Sequence, residues 1–345
     1  MQASGADLFI RACWRKPVET TPVWLMRQAG RVLPAYRELR ERYGFKQLSG
    51  DPELTATVTL MPLDEFDVDA AILFADIMTP LATLGIDFDI KEGGPVVHHP
   101  LRDLRSVETL RWTPAAEAVP EVMEAVRTIC KQLDARLPLI GFAGAPFTLA
   151  SYIIEGGPSR DLSKTKALMY NEPETWKLLM SKLTDMVIDY VGEQVRAGAS
   201  AFQIFDSWVG VLGPNDYIEH VLPHSRRIFD ETSALGVPRI HFGTGNATFF
   251  GAFGSAGSEV VGVDWRMDIA EAWEAAPAAA IQGNMDPAVL LGPRSRVIAE
   301  ADRILDRIGG RPGHIFNLGH GVLPNTPLDN IKVLIETVHS RRHSA

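Results

Sequence analysis

Short apolar runs recur along the chain, each ending in glycine or a polar residue and each followed by a stretch with helical spacing. Eight of them read as strands: Pro22–Met26, Ala70–Phe74, Pro138–Phe142, Ala201–Phe205, Arg239–Phe242, Val260–Val263, Ala280–Gln282 and His314–Leu318. They are continuously apolar rather than alternating, which predicts strands buried on both faces, as in a parallel sheet covered by helices. Between them lie helical patterns with start signals. Asp51 before Pro52 predicts a cap followed by a first helical residue, Pro114 to Leu137 a further helix, and Glu172–Val195 a long amphipathic helix that stops before Gly198. Eight strand–helix units in this length predict an α/β fold of the (β/α)8, TIM-barrel type rather than an open doubly wound sheet. One stretch departs from the pattern. Ile86-Asp87-Phe88-Asp89-Ile90 alternates, Gly93-Gly94-Pro95 turns and Val96-Val97 follows, predicting a β-hairpin inserted between strands 2 and 3. No Pro/Ser-rich linker, low-complexity run or strict repeat divides the chain, so residues 1–345 are expected to form a single domain.

Composition narrows the class. With 46% hydrophobic and 22% charged residues the chain has ample material for a core. A formal net charge of -9 argues against a nucleic-acid partner, which would call for a basic stripe. No apolar run approaches the ~18 residues that span a bilayer, so no membrane partner is expected, and MQASGADLFIRACWRKP lacks the apolar segment of a signal peptide. Cys13 and Cys130 stand outside any CxxC pattern, which predicts no disulfide framework and a reducing, cytoplasmic setting.

Against this acidic average stands PVWLMRQAGRVLPAYRELR, where an apolar run ends at Arg27, Gly30 and Arg31 and is followed by Arg37 and Arg40. Guanidinium forks suit carboxylate or phosphate, and the residues alone leave both open. In a barrel the site collects at the C-terminal strand ends. Those positions carry Arg27, Gln28 and Arg31; Asp76; Gly144-Ala145-Pro146 leading to Tyr152; Asp206 and Ser207; His241 and a Gly-Thr-Gly-Asn run; Asp264 and Arg266; Asn284 and Asp286; and Asn317 and His320. Asp76 follows five apolar residues, so it either pairs with Arg27 or Arg31 or awaits a ligand bearing positive charge or N–H donors. His320 between two glycines reads as a close contact to a ligand or as a histidine bonded to a loop carbonyl. By its residues alone Tyr152 reads more as a core aromatic than as a ligand contact, and Ser207 equally as a helix cap. Several patterns carry nothing: His98-His99 has no third ligand at sensible spacing, Gly243-Thr244-Gly245-Asn246 lacks the lysine of a phosphate loop, and no GxSxG or strand-end cysteine supplies a nucleophile.

LMRQAGRVLPAYRELR, ILFADIMTPL, GFAGAPFTLASYIIEGG, FDSWVG, VGVDWR, QGNMDP and NLGHGVLPNTP occur in the order and spacing of the uroporphyrinogen decarboxylase family, which the chain resembles over nearly its whole length. The resemblance implies a (β/α)8 homodimer in haem biosynthesis that works without metal or organic cofactor. It converts the four acetate side chains of the tetrapyrrole uroporphyrinogen to methyls, giving coproporphyrinogen. It further implies that Asp76 and Arg27 are catalytic, with Asp76 accepting from the pyrrole N–H groups. Arg27, Gln28, Ala29, Gly30 and Arg31 would form the substrate-binding loop, joined by Tyr152, Ser207 and His320, with Arg40 more peripheral and Phe45 an apolar lining residue. The chain departs from the family pattern at Val32, where an aromatic is usual, at Pro158 in the loop after Glu155, and in the Gly-Thr-Gly-Asn-Ala-Thr-Phe-Phe run after the fifth strand. Pro158 is expected to stiffen its loop.

The chemistry agrees with the resemblance. A substrate with eight carboxylates accounts for arginines at the mouth of an acidic protein, and a pyrrole protonated on its α-carbon is its own electron sink. Asp76 would stabilise that cation, and its loss should cost about 2–4 kcal/mol of barrier, as for other preorganised groups. The proton donor is either Arg27, a very poor acid, or a water held by His320 or Tyr152. Two rivals stand beside this reading. A corrinoid or coenzyme M methyltransferase barrel would need zinc thiolates near the last strands, where His320 is followed by Gly321 and Val322. A non-catalytic tetrapyrrole carrier would need the arginines but not Asp76.

Overall fold

The computed structural model describes residues 5–91 and 94–343. Its strands are β1 (Ala71–Ile72), β2 (Phe88–Lys91), β3 (Gly94–Val97), β4 (Leu139–Gly144), β5 (Ala201–Asp206), β6 (Arg239–Gly243), β7 (Val260–Gly262), β8 (Ala280–Gln282) and β9 (His314–Ile315). Among the described residues seven of them form one parallel sheet, in the order β1-β4-β5-β6-β7-β8-β9. The long apolar runs form this sheet because each strand is covered on both faces; every residue of β4 and of β6 through β9 is buried.

The sheet curls until its two edges meet on the first apolar run. Val23 bridges Phe316 in parallel, Phe316 N–H donates to Pro22 C=O at 2.8 Å, and Asp69 N–H, just before β1, donates to Val23 C=O at 2.8 Å. Pro22–Met26 was expected as a full strand, yet only Val23 makes a ladder bridge. Trp24 N–H donates to Phe316 C=O at 3.3 Å, but side chains take three donors: Val23 N–H goes to Asp69 Oδ2 at 2.7 Å, Leu25 N–H to Gln28 Oε1 at 2.9 Å, and Met26 N–H to Asn317 Oδ1 at 3.1 Å. Pro22 has no N–H to offer.

A polar string crosses the interior. Trp24 Nε1 donates to Gln282 Oε1 at 3.0 Å, Gln282 Nε2 to Gln203 Oε1 at 2.9 Å, and Gln203 Nε2 reaches Met26 Sδ at 3.7 Å. These groups are buried, so each needs such a partner.

The outer layer follows its start signals. Asp51 Oδ1 accepts from Glu53 and Leu54 N–H at the head of helix Pro52–Glu65. Helix Pro173–Arg196 docks through Gln194, which accepts from Phe142 N–H at 2.9 Å and donates to its C=O at 3.0 Å. The helix expected from Pro114 to Leu137 is divided into Ala115–Ala118 and Pro120–Leu133, because a proline cannot continue a helix but can start one.

Between β1 and β4 the chain pairs β2 antiparallel with β3, from Phe88↔Val97 to Lys91↔Gly94. Gly93 of the expected turn lies outside the described residues. Val97 N–H donates to Gly156 C=O at 3.0 Å. Gly94 has φ +119°, and a Cβ there would lie 2.9 Å from Pro158 Cγ, so the ring of Pro158 packs against β3. Among the described residues no helix is long and apolar enough to cross a membrane.

Candidate active site

The strand ends open into a cleft of about 480 Å³. Its lining mixes cations, polar groups and aromatics. Arg27, Arg31 and Arg40 line it, β2 and β3 contribute Ile90, Lys91 and Pro95, and Asp76, Tyr152, Ser207 and His320 also line it. The inward aromatics of three consecutive sheet strands complete the lining. Phe142 and Phe205 meet edge to face at 5.5 Å, and Phe205 and Phe242 at 5.9 Å. An apolar surface of this kind lowers the local dielectric and strengthens any charge placed against it.

Asp76 sits just past β1, on the turn into the 3-10 helix Thr79–Leu84. Met78 N–H donates to its Oδ1 at 2.8 Å, which fixes the carboxyl and leaves its other oxygen for the cleft. Burial pushes this carboxyl above the ordinary carboxylate range, while the Met78 N–H and the charge of Arg27 act in the other direction. Among the described residues neither Arg27 nor Arg31 forms an ion pair with it. The alternative of a pair that merely closes the barrel is therefore not the observed geometry.

Arg27 adopts φ 64°, a left-handed backbone that costs a residue with a Cβ about 1 kcal/mol or more. Its side chain runs along Gly321, where a Cβ would stand 2.4 Å from Arg27 Cδ. Only glycine at 321 lets this arginine reach the cleft as it does.

His320 is held by its neighbour: Gly321 N–H donates to Nδ1 at 2.7 Å. Nδ1 is thus an acceptor, so the neutral ring carries its proton on Nε2 and offers it as a donor. Burial, then the charges of Arg27 and Arg266, push this imidazole down to about 4 against the pull of Asp264. At neutral pH His320 is a donor without charge.

Tyr152 lies on helix Pro146–Glu155, its ring edge-on to Trp208 at 5.9 Å. Burial raises its phenol first, and a bond to Trp208 opposes this. Ser207 follows β5 directly, its C=O accepting from Thr244 Oγ1 at 2.6 Å. Its neighbour Asp206 is fully buried, accepts from Thr148 Oγ1 at 2.9 Å, and is pushed up to about 7 by burial. Thr148 in turn accepts from Trp208 N–H at 3.2 Å, so the Ser207–Trp208 turn is tied to the helix that carries Tyr152.

Of the residues expected in the site, Arg27, Ala29, Gly30, Arg31, Arg40, Phe45, Asp76, Tyr152, Ser207 and His320 line the cleft. Gln28 does not. It is fully buried, and its amide accepts from Leu25 N–H and donates to Ala70 C=O at 3.0 Å, bracing the loop against the sheet. His241 also faces away, stacked on Phe253 at 3.7 Å, since Phe242 and not its neighbour points inward. Asp264 accepts from Gly245 N–H and Arg266, Asn284 bonds the carbonyls of Asp264 and Met267, Asp286 caps a 3-10 turn, and Asn317 holds Met26 and Leu318 N–H. These strand-end residues shape loops. Lys91, Tyr36 and the Phe142–Phe205–Phe242 row line the cleft without having been expected; the inward parity of the strand ends was the available signal for the aromatics. Among the described residues no group of three His, Cys, Asp or Glu side chains could hold one metal ion.

Comparison with known proteins bears on this geometry. The family model described as Uroporphyrinogen decarboxylase (URO-D) matches residues 4–341. A uroporphyrinogen decarboxylase of Sorangium cellulosum is 50% identical over 336 residues, covering 97% of this chain and 96% of that protein. One of Thermus thermophilus is 49% identical over 333 residues, covering 96% and 97%. Among solved structures, a methyltransferase from Methanosarcina mazei superposes with a TM-score of 0.82 at 20% identity, covering 98% of this chain and 99% of that one, a likeness of fold.

Proposed function

The chain belongs to the uroporphyrinogen decarboxylase family, and from that premise we propose that it is a carboxy-lyase converting the four acetate side chains of uroporphyrinogen III to methyls, yielding coproporphyrinogen III in haem biosynthesis. The observation that carries the reading at the site is a half-buried Asp76, with no ion-pair partner among the described residues, in a cleft that Arg27, Arg31 and Arg40 also line. A carrier of carboxylates needs the second feature only.

The chemistry follows from the geometry. The porphyrinogen is flexible and uncharged at its pyrroles, so its N–H groups converge on the free oxygen of Asp76. A proton added to an α-carbon makes the pyrrole a cation, and Asp76 stabilises it across a short, dry distance. The bond from the acetate CH2 to its carboxylate then breaks, carbon dioxide leaves, and the electron pair neutralises the ring as an exocyclic methylene. Protonation of that methylene and loss of the α-proton restore the pyrrole with a methyl group. Each cycle consumes one proton and releases one carbon dioxide.

Arg27 and Arg31 hold the carboxylates of the reacting and neighbouring rings, with Ala29 and Gly30 contributing backbone and Arg40 acting farther out. His320 donates Nε2–H without carrying charge, which rules it out as an imidazolium acid at neutral pH. Tyr152 and Ser207 complete the donor set, and Phe45 and the aromatic row exclude water. The proton enters from solvent and is relayed by a water held between Tyr152 and His320 in the field of Arg27, since neither that water nor the guanidinium is acidic enough to be its source.

The edge-to-edge bonding through residues 22–24 and Phe316 supports the whole chain, 1–345, being one (β/α)8 barrel, and family membership supports a homodimer working in the cytoplasm. The test is anaerobic incubation with uroporphyrinogen III in a strong chelator. Coproporphyrinogen should form with wild type and not with Asp76→Ala; stoichiometric binding without carbon dioxide release would favour the carrier, and chelator sensitivity would overturn the metal-free chemistry.

A further inference from the structure

Past Arg31 the cleft continues into an open groove of about 870 Å³. Arg31, Tyr36, Arg40 and Pro324 line both. The groove adds Arg37, which lines no part of the cleft. One terminal nitrogen of Arg37 donates to Arg31 C=O at 2.9 Å and to Val32 C=O at 3.1 Å. Its charge is thereby fixed to the loop that bears Arg31, with no carboxylate partner among the described residues. Arg40 lies between the two spaces, its guanidinium 4.9 Å from the centre of the Phe45 ring and one terminal nitrogen buried without a hydrogen-bond partner. Asn325 and Thr326 also line the groove. Three guanidinium groups thus face one groove in a chain of net charge -9, answered there by Glu41 alone. Such forks take carboxylates bidentately.

The reaction explains a need for such a groove. Four acetates react one after another at one Asp76, so after each loss of carbon dioxide the macrocycle must withdraw and turn. Every intermediate keeps its four propionates, and a nearby set of fixed cations holds them at high effective concentration during the turn. We infer that the groove of Arg37, Arg40 and Arg31 is a holding site for the propionate carboxylates of the tetrapyrrole in transit, which keeps partly decarboxylated intermediates on the protein. This rests on the decarboxylase reading and extends it.

The test measures seven-, six- and five-carboxylate products released per coproporphyrinogen formed, by anaerobic turnover followed by oxidation and chromatography of the porphyrins. Arg37→Gln removes the fixed cation. Asn325→Asp places an anion in the lining of the same groove and leaves the Arg37 bonds to the loop intact. Both should raise the ratio about threefold or more, the scale of one exposed ion pair, and added salt should bring wild type towards the variants. An unchanged ratio in Asn325→Asp overturns the holding site, whether Arg37→Gln is active or not. A wild type that releases no carbon dioxide overturns the decarboxylase reading instead.

Discussion

Replacing Asp76 by Asn separates what this residue does for the reaction from what it does to the fold. The carboxyl is bonded at Oδ1 by Met78 N–H at 2.8 Å, so an amide in the same place keeps that acceptor and turns an NH2 towards the cleft. A donor would then face the pyrrole N–H donors, and the anion that stabilises the pyrrole cation would be gone. Removing one preorganised group of this kind costs about 3–4 kcal/mol, or roughly 10²- to 10³-fold in turnover. Stability should move the opposite way. Burial raises the Asp76 carboxyl above its ordinary range, so its favourable contribution to the fold exists below the unfolded value of about 3.9 and is lost as pH rises through the folded value. At pH 7.5 the ionised group therefore weighs against the fold, and Asn should recover about 0.5–2 kcal/mol, a rise of a few degrees in melting temperature. Near pH 4 the two proteins should melt together. Carbon dioxide release under anaerobic conditions and melting curves at pH 4 and 7.5 measure both effects. Turnover of Asp76→Asn within tenfold of wild type, or a lower melting temperature at pH 7.5, would refute the reasoning.

Gly321→Ala should displace Arg27, because the new methyl would fall 2.4 Å from its Cδ; kcat/KM should drop by about 10- to 100-fold with the melting temperature nearly unchanged, as steady-state kinetics and calorimetry would show. His320→Ala should lower kcat/KM by about 10- to 100-fold, the loss of a hydrogen bond to a charged group. In wild type, a pH–rate profile should contain no limb from this imidazole between pH 5 and 8, because its pKa is pushed down to about 4. His339 is the opposite case: burial alone would lower it, but its bond to Asp69 at 2.8 Å and the charges of Asp69 and Asp67 raise it overall. Its contribution to stability is complete below about pH 6.5 and fades as pH rises through the higher folded value, so His339→Gln should flatten that part of the stability–pH curve measured by urea unfolding.

The sheet was legible in the sequence because strands buried on both faces must be apolar throughout, and β4 through β8 fall within or next to the expected runs. The first run misled because three of its backbone donors are met by the side chains of Asp69, Gln28 and Asn317, partners that local pattern cannot reveal. The site residues Arg27, Arg31, Asp76 and His320 were legible as charged or polar groups ending apolar runs. His241 failed on parity, since a strand turns alternate residues outward and Phe242 took the inward place. Gln28 sits between cleft residues in sequence, yet a tight loop sends its amide back to Ala70. Lys91 and Pro95 reach the cleft only because β2 and β3 lean on Gly156 and Pro158, a contact between segments some sixty residues apart.

The meeting of Val23 with Phe316 has a consequence for the order in which the molecule is made. Arg27 is synthesised long before Asn317, yet the loop that carries it is anchored at Met26 N–H by that residue, 291 positions later. Asp69, which holds Val23, is itself gripped by His339 in helix Leu328–Ser340. Contacts of such sequence separation form late and slowly. A nascent chain therefore carries its arginine loop exposed until almost the whole barrel has left the ribosome. A stop codon anywhere before Asn317 would leave the arginine loop without that anchor.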